Sequence, residues 1–206
     1  MDIIRFEKKL NNTELGKGMT HDTYVLVPTD VDVTDIFTTP GAEVPFVDIN
    51  SGDTVIIRNT VAREKRIVGL GEYYRSKNLF AGDEVIFEKR ITAESEEFFI
   101  NVKKYDEVVV VQKYKSGFEI LTPERWNLLE LWHNALNDAF SVVLKERKKK
   151  RTDSPEETNF YDICINGSSI LDMYKTKEML VLSWDDDVVG VHNFCNWKKI
   201  SFSVEV

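Results

Sequence analysis

Cysteine is nearly absent: the 206 residues hold only Cys164 and Cys195. Two thiols so placed build neither a disulfide framework nor a metal-ligand spacing, and the pattern predicts two isolated buried thiols. No run approaches the roughly 18 apolar residues that a membrane-spanning helix needs. The opening residues, MDIIRFEKK, lack the apolar stretch and small-residue cleavage site of a secretory signal, so a cytoplasmic chain with no membrane partner is expected. Glycine and proline are sparse, and 42% hydrophobic residues suffice for one good core and a second, smaller one.

Catalytic patterns are missing as well. A metal-dependent nuclease commonly sets two carboxylates around magnesium beside a lysine that polarises the attacking water. Asn101-Val102-Lys103 has the lysine but an amide where the acid belongs, and Gln112-Lys113 fails in the same way. Neither a Cys/His metal set, a Ser/His/Asp arrangement nor a Gly-rich phosphate loop is apparent. Asp185-Asp186-Asp187 suits a solvated turn between strands, having no partner carboxylate for a magnesium site. His133 and His192 suit packing roles.

A net charge of −8 argues against a nonspecific nucleic-acid coat, because DNA affinity comes largely from lysine and arginine replacing counterions. Locally the balance reverses. Residues 58–66 carry Arg58, Arg63, Lys65 and Arg66 against Glu64, and residues 8–21 carry Lys8, Lys9 and Lys17 against Glu14.

Residues 3–9 and 22–28 read as strands separated by a polar arm, LNNTELGKGMTH, with a short helix over TDVDVTDIF ended by Pro40. DTVIIRN (53–59) and KRIVGLG (65–71) read as two more strands, EYYRSKN (72–78) as a helix, and LFAGDEVIFEKRI as a turn and strand. EFFINVK and EVVVVQKYK pair as a hairpin. The expected fold is mainly β with short helices: about seven strands within 1–121 in an open or nearly closed barrel. Thr122 and Pro123 open a helix whose apolar stripe runs through Trp126, Leu129, Trp132, Leu136, Phe140 and Val143 and ends in KERKKKR. The predicted organisation is therefore a barrel at 1–121, an amphipathic helix and charged linker at 122–157, and a small β-rich extension at 158–206.

The KKL…GKGMTH arm, YVLVP, the run REKRI and the LFAGDEVIF strand, taken in that order, resemble the N-terminal effector-binding domain of EcoRII-type restriction endonucleases. The resemblance covers about residues 4–121, with further similarity around ILTPERW (120–126). It implies a B3-like DNA-binding pseudobarrel of seven strands, in which two arms enter the major groove like the jaws of a wrench. Carried over by position, the first jaw offers Lys8, Lys9, Asn11, Asn12, Thr13, Lys17 and His21. The second offers Arg58, Asn59, Thr60, Arg63, Glu64, Lys65 and Arg66, with Glu64-Lys65-Arg66 matching the family's Glu-Lys-Arg run. Ala62 and Met19-Thr20 depart from the pattern.

The residue chemistry points the same way. Arginine meets the O6 and N7 acceptors of guanine with a planar fork, glutamate accepts from the cytosine amino group, and asparagine pairs with adenine, which suits Arg66, Glu64 and Asn59 for base edges. Lys8, Lys9, Lys17 and Arg63 suit phosphate. The expectation is sequence-specific double-stranded DNA binding as the effector or specificity module of a type II restriction–modification hydrolase, with a CCWGG-like target implied by the resemblance. DNA binding itself needs no cofactor; Mg²⁺ enters only with a nuclease domain fused to or associated with the chain. Two alternatives stand: a complete small metal-dependent nuclease with its site in the C-terminal part, and a non-catalytic regulatory or interaction protein.

Overall fold

The computed structural model describes residues 1–17, 21–150 and 156–205. Along the chain run β1 (Asp2–Lys9), β2 (Val25–Leu26), β3 (Glu43–Asp48), β4 (Thr54–Asn59) and β5 (Arg66–Val68). Helix α1 (Gly71–Lys77), β6 (Glu84–Ile91), β7 (Glu96–Lys103), β8 (Val108–Tyr114) and β9 (Gly117–Ile120) follow. Helix α2 (Trp126–Leu136), β10 (Phe140–Lys149), β11 (Glu157–Ile165) and β12 (Ser168–Ser169) come next. The chain ends with β13 (Met179–Asp185), β14 (Val188–Asn193) and β15 (Trp197–Ser203). Residues 1–104 with 195–206 form one compact unit, and 105–194 form another.

The first unit is an open, curled half-barrel of eight strands in the order β15-β1-β6-β7-β3-β4-β5-β2. All pairs are antiparallel except β3 with β7. Alternation places Phe6, Phe46 and Phe87 inward, where with Phe37 they form a ring cluster at centroid distances of 5.5 to 6.3 Å. Val25, Ile57, Ile67 and Ile100 belong to the same core. Its polar counterpart is Asp48, at the end of β3. One carboxylate oxygen accepts the amides of Asn50 and Ser51, each at 2.8 Å, and the other lies 2.9 Å from Lys77 Nζ on α1.

Several expectations need correction. Residues 29–40 form turns, because Asp32 captures both the amide and the hydroxyl of Thr34 at 2.9 Å, diverting the backbone from a helix. Val31, Val33, Ile36 and Phe37 are buried all the same. Strand β3 escaped the sequence reading because Pro45 interrupts its pattern. Nor do residues 96–103 pair with 108–114: β7 lies between β6 and β3, while β8 joins β9 and β13. Residues 195–206 do not extend a C-terminal appendage. They return to the first unit, where β15 pairs with β1 over Asp2–Lys8, and Lys199 Nζ reaches Asp35 at 2.6 Å. Cys195 is exposed and Cys164 half-buried, so the thiols are isolated but not interior.

The second unit is a seven-stranded antiparallel sheet, β10-β11-β9-β8-β13-β14 with β12 beside β11. Leu129 and Trp132 of α2 pack in its core with Val111, Phe118, Phe140, Ile163 and Leu182. The predicted helical stripe is cut at Asn137, whose φ of +50° ends α2. Phe140 and Val143 stand instead on β10. Phe140 is buried while Val143 is 56% exposed, so their helical spacing was coincidental. Lys145–Lys149 of the KERKKKR tract accordingly lie on β10, not at a helix end, and Arg151 lies outside the described residues. Asp185–Asp187 form the exposed turn joining β13 to β14.

Burial alone would raise the Asp48 carboxyl, but Lys77, Tyr73 and the two turn amides outweigh it and lower the carboxyl from 3.8 to about 2. A carboxylate depressed on folding contributes stability above its unfolded pKa and loses it as pH falls through the folded value. Asp48→Asn is therefore expected to lower the melting temperature at neutral pH, with a cost of about 2 kcal/mol. The gap between variant and parent should close between about pH 4 and pH 2 in thermal melts followed by circular dichroism.

Candidate nucleic-acid interface

The two polar loops flank the short β2–β5 ladder, in which Val25 faces Ile67 and Leu26 faces Arg66. The first loop, following β1, closes where Leu15 bridges Thr23, just before β2. The second, between β4 and β5, closes at the other end of the ladder, where the Val27 amide donates to the Lys65 carbonyl at 3.0 Å. From Thr23 to Val27 an extended chain covers about 13 Å, comparable to the roughly 12 Å width of the DNA major groove.

A buried carboxylate shapes the first loop. Glu14, 1% exposed, lies 3.0 Å from Lys8 Nζ and accepts the amides of Leu26 at 2.9 Å and Asn11 at 3.1 Å. Asn11 Oδ1 in turn accepts the Glu14 amide at 3.0 Å, and the Glu14 carbonyl accepts the Tyr24 amide at 3.1 Å. Gly16 follows with φ +73°, and a Cβ there would stand 2.8 Å from the His21 carbonyl oxygen. Lys8 is thus no phosphate ligand: at 6% exposure its ammonium is held by Glu14 and by the Lys9 carbonyl at 2.9 Å. The β1 alternation put it inward with Phe6, a parity legible in the sequence. Asn11 acts as the turn's capping residue, and Asn12 is half-buried. Thr13, Lys17 and His21 are exposed, with Lys17 Nζ 4.7 Å from the Phe80 ring centre and His21 Nδ1 3.3 Å from the Gly16 carbonyl. Lys9 is half-buried.

Thr60 clasps the second loop. Its amide donates to the Arg66 carbonyl at 2.8 Å and its Oγ1 accepts the Arg66 amide at 3.0 Å. Beyond that clasp Arg63, Glu64 and Lys65 are exposed, beside a cleft of about 430 Å³ that they share with Pro28 and Thr29. Glu64 Oε2 accepts from both Nε, at 2.7 Å, and Nη2 of Arg66. The guanidinium also lies over the Tyr24 ring, 4.2 Å from its centre. Arg58 is exposed on β4, opposite Val68 in the neighbouring strand. Asn59 is not at this surface: strand alternation turns it inward, 4% exposed, which withdraws it from reading a base.

Two participants were missed by sequence reasoning. Tyr24, hidden in a strand-like run, is the platform under Arg66. Arg75 of α1 borders the same cleft as Lys17 and His21. Among the described residues no group of three or more His, Cys, Asp or Glu side chains is disposed to hold a metal ion, and no helix is long and apolar enough to cross a membrane.

The sequence matches no protein-family profile and no curated protein. Among solved structures it is similar to the N-terminal domain of Helicobacter pylori LlaJI.R1, at 14% identity and a TM-score of 0.35, over 50% of this chain and 82% of that one. A likeness at that score decides nothing about function.

Removing one partner of a buried ion pair leaves an uncompensated charge, at a cost of about 3–5 kcal/mol. Glu14→Ala is expected to destabilise the first unit by that order in urea denaturation. Thr13→Ala, at an exposed neighbouring position, should change stability by less than about 0.5 kcal/mol.

Proposed function

We propose that the first unit is a B3-like pseudobarrel that binds double-stranded DNA sequence-specifically, reading the major groove with residues 9–17, 21 and 60–66. In this reading it is the effector or specificity module of an EcoRII-type restriction endonuclease, with the nuclease on a linked or associated chain. One observation carries the proposal: two polar loops close at opposite ends of a single short ladder, and Glu64 and Arg66 are held outward beside it.

In this reading Arg66 and Glu64 have defined tasks. Glu64 engages Nε and one hydrogen of Nη2, which fixes the guanidinium plane yet leaves Nη1 and the outer Nη2 hydrogen for the two acceptors of a guanine edge. Glu64 Oε1 lies outside that contact and suits a neighbouring cytosine amino group. An exposed ion pair contributes little on its own, about 0–1 kcal/mol, so sharing it with DNA loses little. A guanine contact beside a contact to the cytosine of the adjacent pair on the opposite strand is compatible with the GG/CC steps of a CCWGG-like site. Arg63, Lys65, Arg58, Lys9 and Lys17 serve phosphates, and Thr60 keeps the second loop closed.

Selection of bound duplexes from a random pool, followed by anisotropy titration, tests this. Arg66→Ala is expected to weaken the preferred duplex by about 1–3 kcal/mol and relax preference at one position. Lys65→Ala should weaken all sequences alike and make binding less salt-dependent. Unchanged affinity of Arg66→Ala for the preferred duplex removes the two-loop reading.

A further inference from the structure

At the foot of the first loop, where Leu15 bridges Thr23, lies a cleft of about 370 Å³ bordered by Lys17, His21, Thr23, Gly71, Arg75 and Asn78. In a chain with 35 acidic against 27 basic residues, no acidic side chain lines it among the described residues. Its cationic side chains come from separate elements, Lys17 from the loop and Arg75 from α1. Gly71 opens its floor: a Cβ there would stand 3.0 Å from Thr23 Oγ1 and 3.5 Å from Arg75 Nη1. A hydroxyl donor and a guanidinium thus converge on one point that a side chain would otherwise fill.

We infer that this cleft is a phosphate-binding site and that it holds a backbone phosphodiester of the duplex, at the flank of the bases read by the second loop. The inference rests on the DNA-binding reading and adds to it a ligand class and two positions, Gly71 and Arg75, outside both loops. Phosphate suits the donor set. Arginine offers a planar fork to its two non-bridging oxygens and the threonine hydroxyl donates to one of them, while Lys17 supplies charge. Such a contact fixes the register of the protein on the duplex and carries no sequence information.

Anisotropy titrations of a preferred and a scrambled duplex across a salt series test it with Arg75→Gln and Gly71→Ala, each checked for a parental melting temperature. Losing one phosphate contact is expected to flatten the slope of log K against log salt by about 0.9, and to weaken both duplexes roughly eightfold at 0.1 M salt. Gly71→Ala, which keeps every charge, should weaken both duplexes as well. A parental slope and affinity in Arg75→Gln overturns the inference while leaving the two-loop reading standing. If the parent binds no duplex at all, the two-loop reading falls and the phosphodiester assignment with it. Amide NMR shifts with inorganic phosphate then decide the cleft separately. Shifts at Thr23 and Gly71 that vanish in Arg75→Gln support a site for free phosphate, and none overturns the anion site altogether.

Discussion

A carboxylate almost wholly removed from water costs several kcal/mol unless a counter-charge and hydrogen-bond donors surround it, and Glu14 is in that position. Lys8 from β1, the Leu26 amide from β2 and the Asn11 amide from the loop itself all converge on it. Three segments that would otherwise move separately are therefore fixed to one side chain. The long excursion between β1 and β2 becomes an arm of defined direction, and the exposed side chains beyond Glu14 inherit that direction. Lys8 is the cation surrendered for this purpose.

The second loop is built on the opposite plan. Its feet are clasped by Thr60 and Arg66, but Val61, Ala62, Arg63, Glu64 and Lys65 are all exposed and no buried group staples its tip. A loop held only at its feet keeps adaptable side chains, whereas the stapled loop has already lost much of its freedom before any ligand arrives. The first arm is therefore ordered from within, and the second only at its feet.

Much of the half-barrel was legible because Val55 and Ile57 in β4, Val85 and Phe87 in β6 and the Gly82-Asp83 turn mark these strands. What failed did so for physical reasons. The pairing of β15 with β1 joins opposite ends of the chain, and no local pattern encodes a partner so far away. Asn137 reads as an ordinary helix residue, yet its positive φ decides where α2 stops. At the site, the exposed charges of 63–65 followed from composition, while the inward turn of Lys8 and Asn59 required strand parity to outrank charge. Phe6, Lys8 and Leu10 share one parity, and Glu14 was the complementary charge in reach. Arg75 carried no signal at all, since only the fold brings α1 beside the first loop.

Tyr24 is where the two loops meet. Its amide closes the stapled loop onto the Glu14 carbonyl, its ring supports the Arg66 guanidinium of the clasped loop, and its carbonyl accepts the Tyr74 hydroxyl of α1 at 3.4 Å. A displacement of the first loop that moves the Tyr24 backbone must tilt the ring and with it the plane of the guanidinium. Arginine recognition of a guanine edge depends on that plane, because both hydrogen bonds lie in it. Tyr24 thereby links the backbone at one end of the ladder to the guanidinium held at the other through one side chain, as the proposed guanine contact of Arg66 would require.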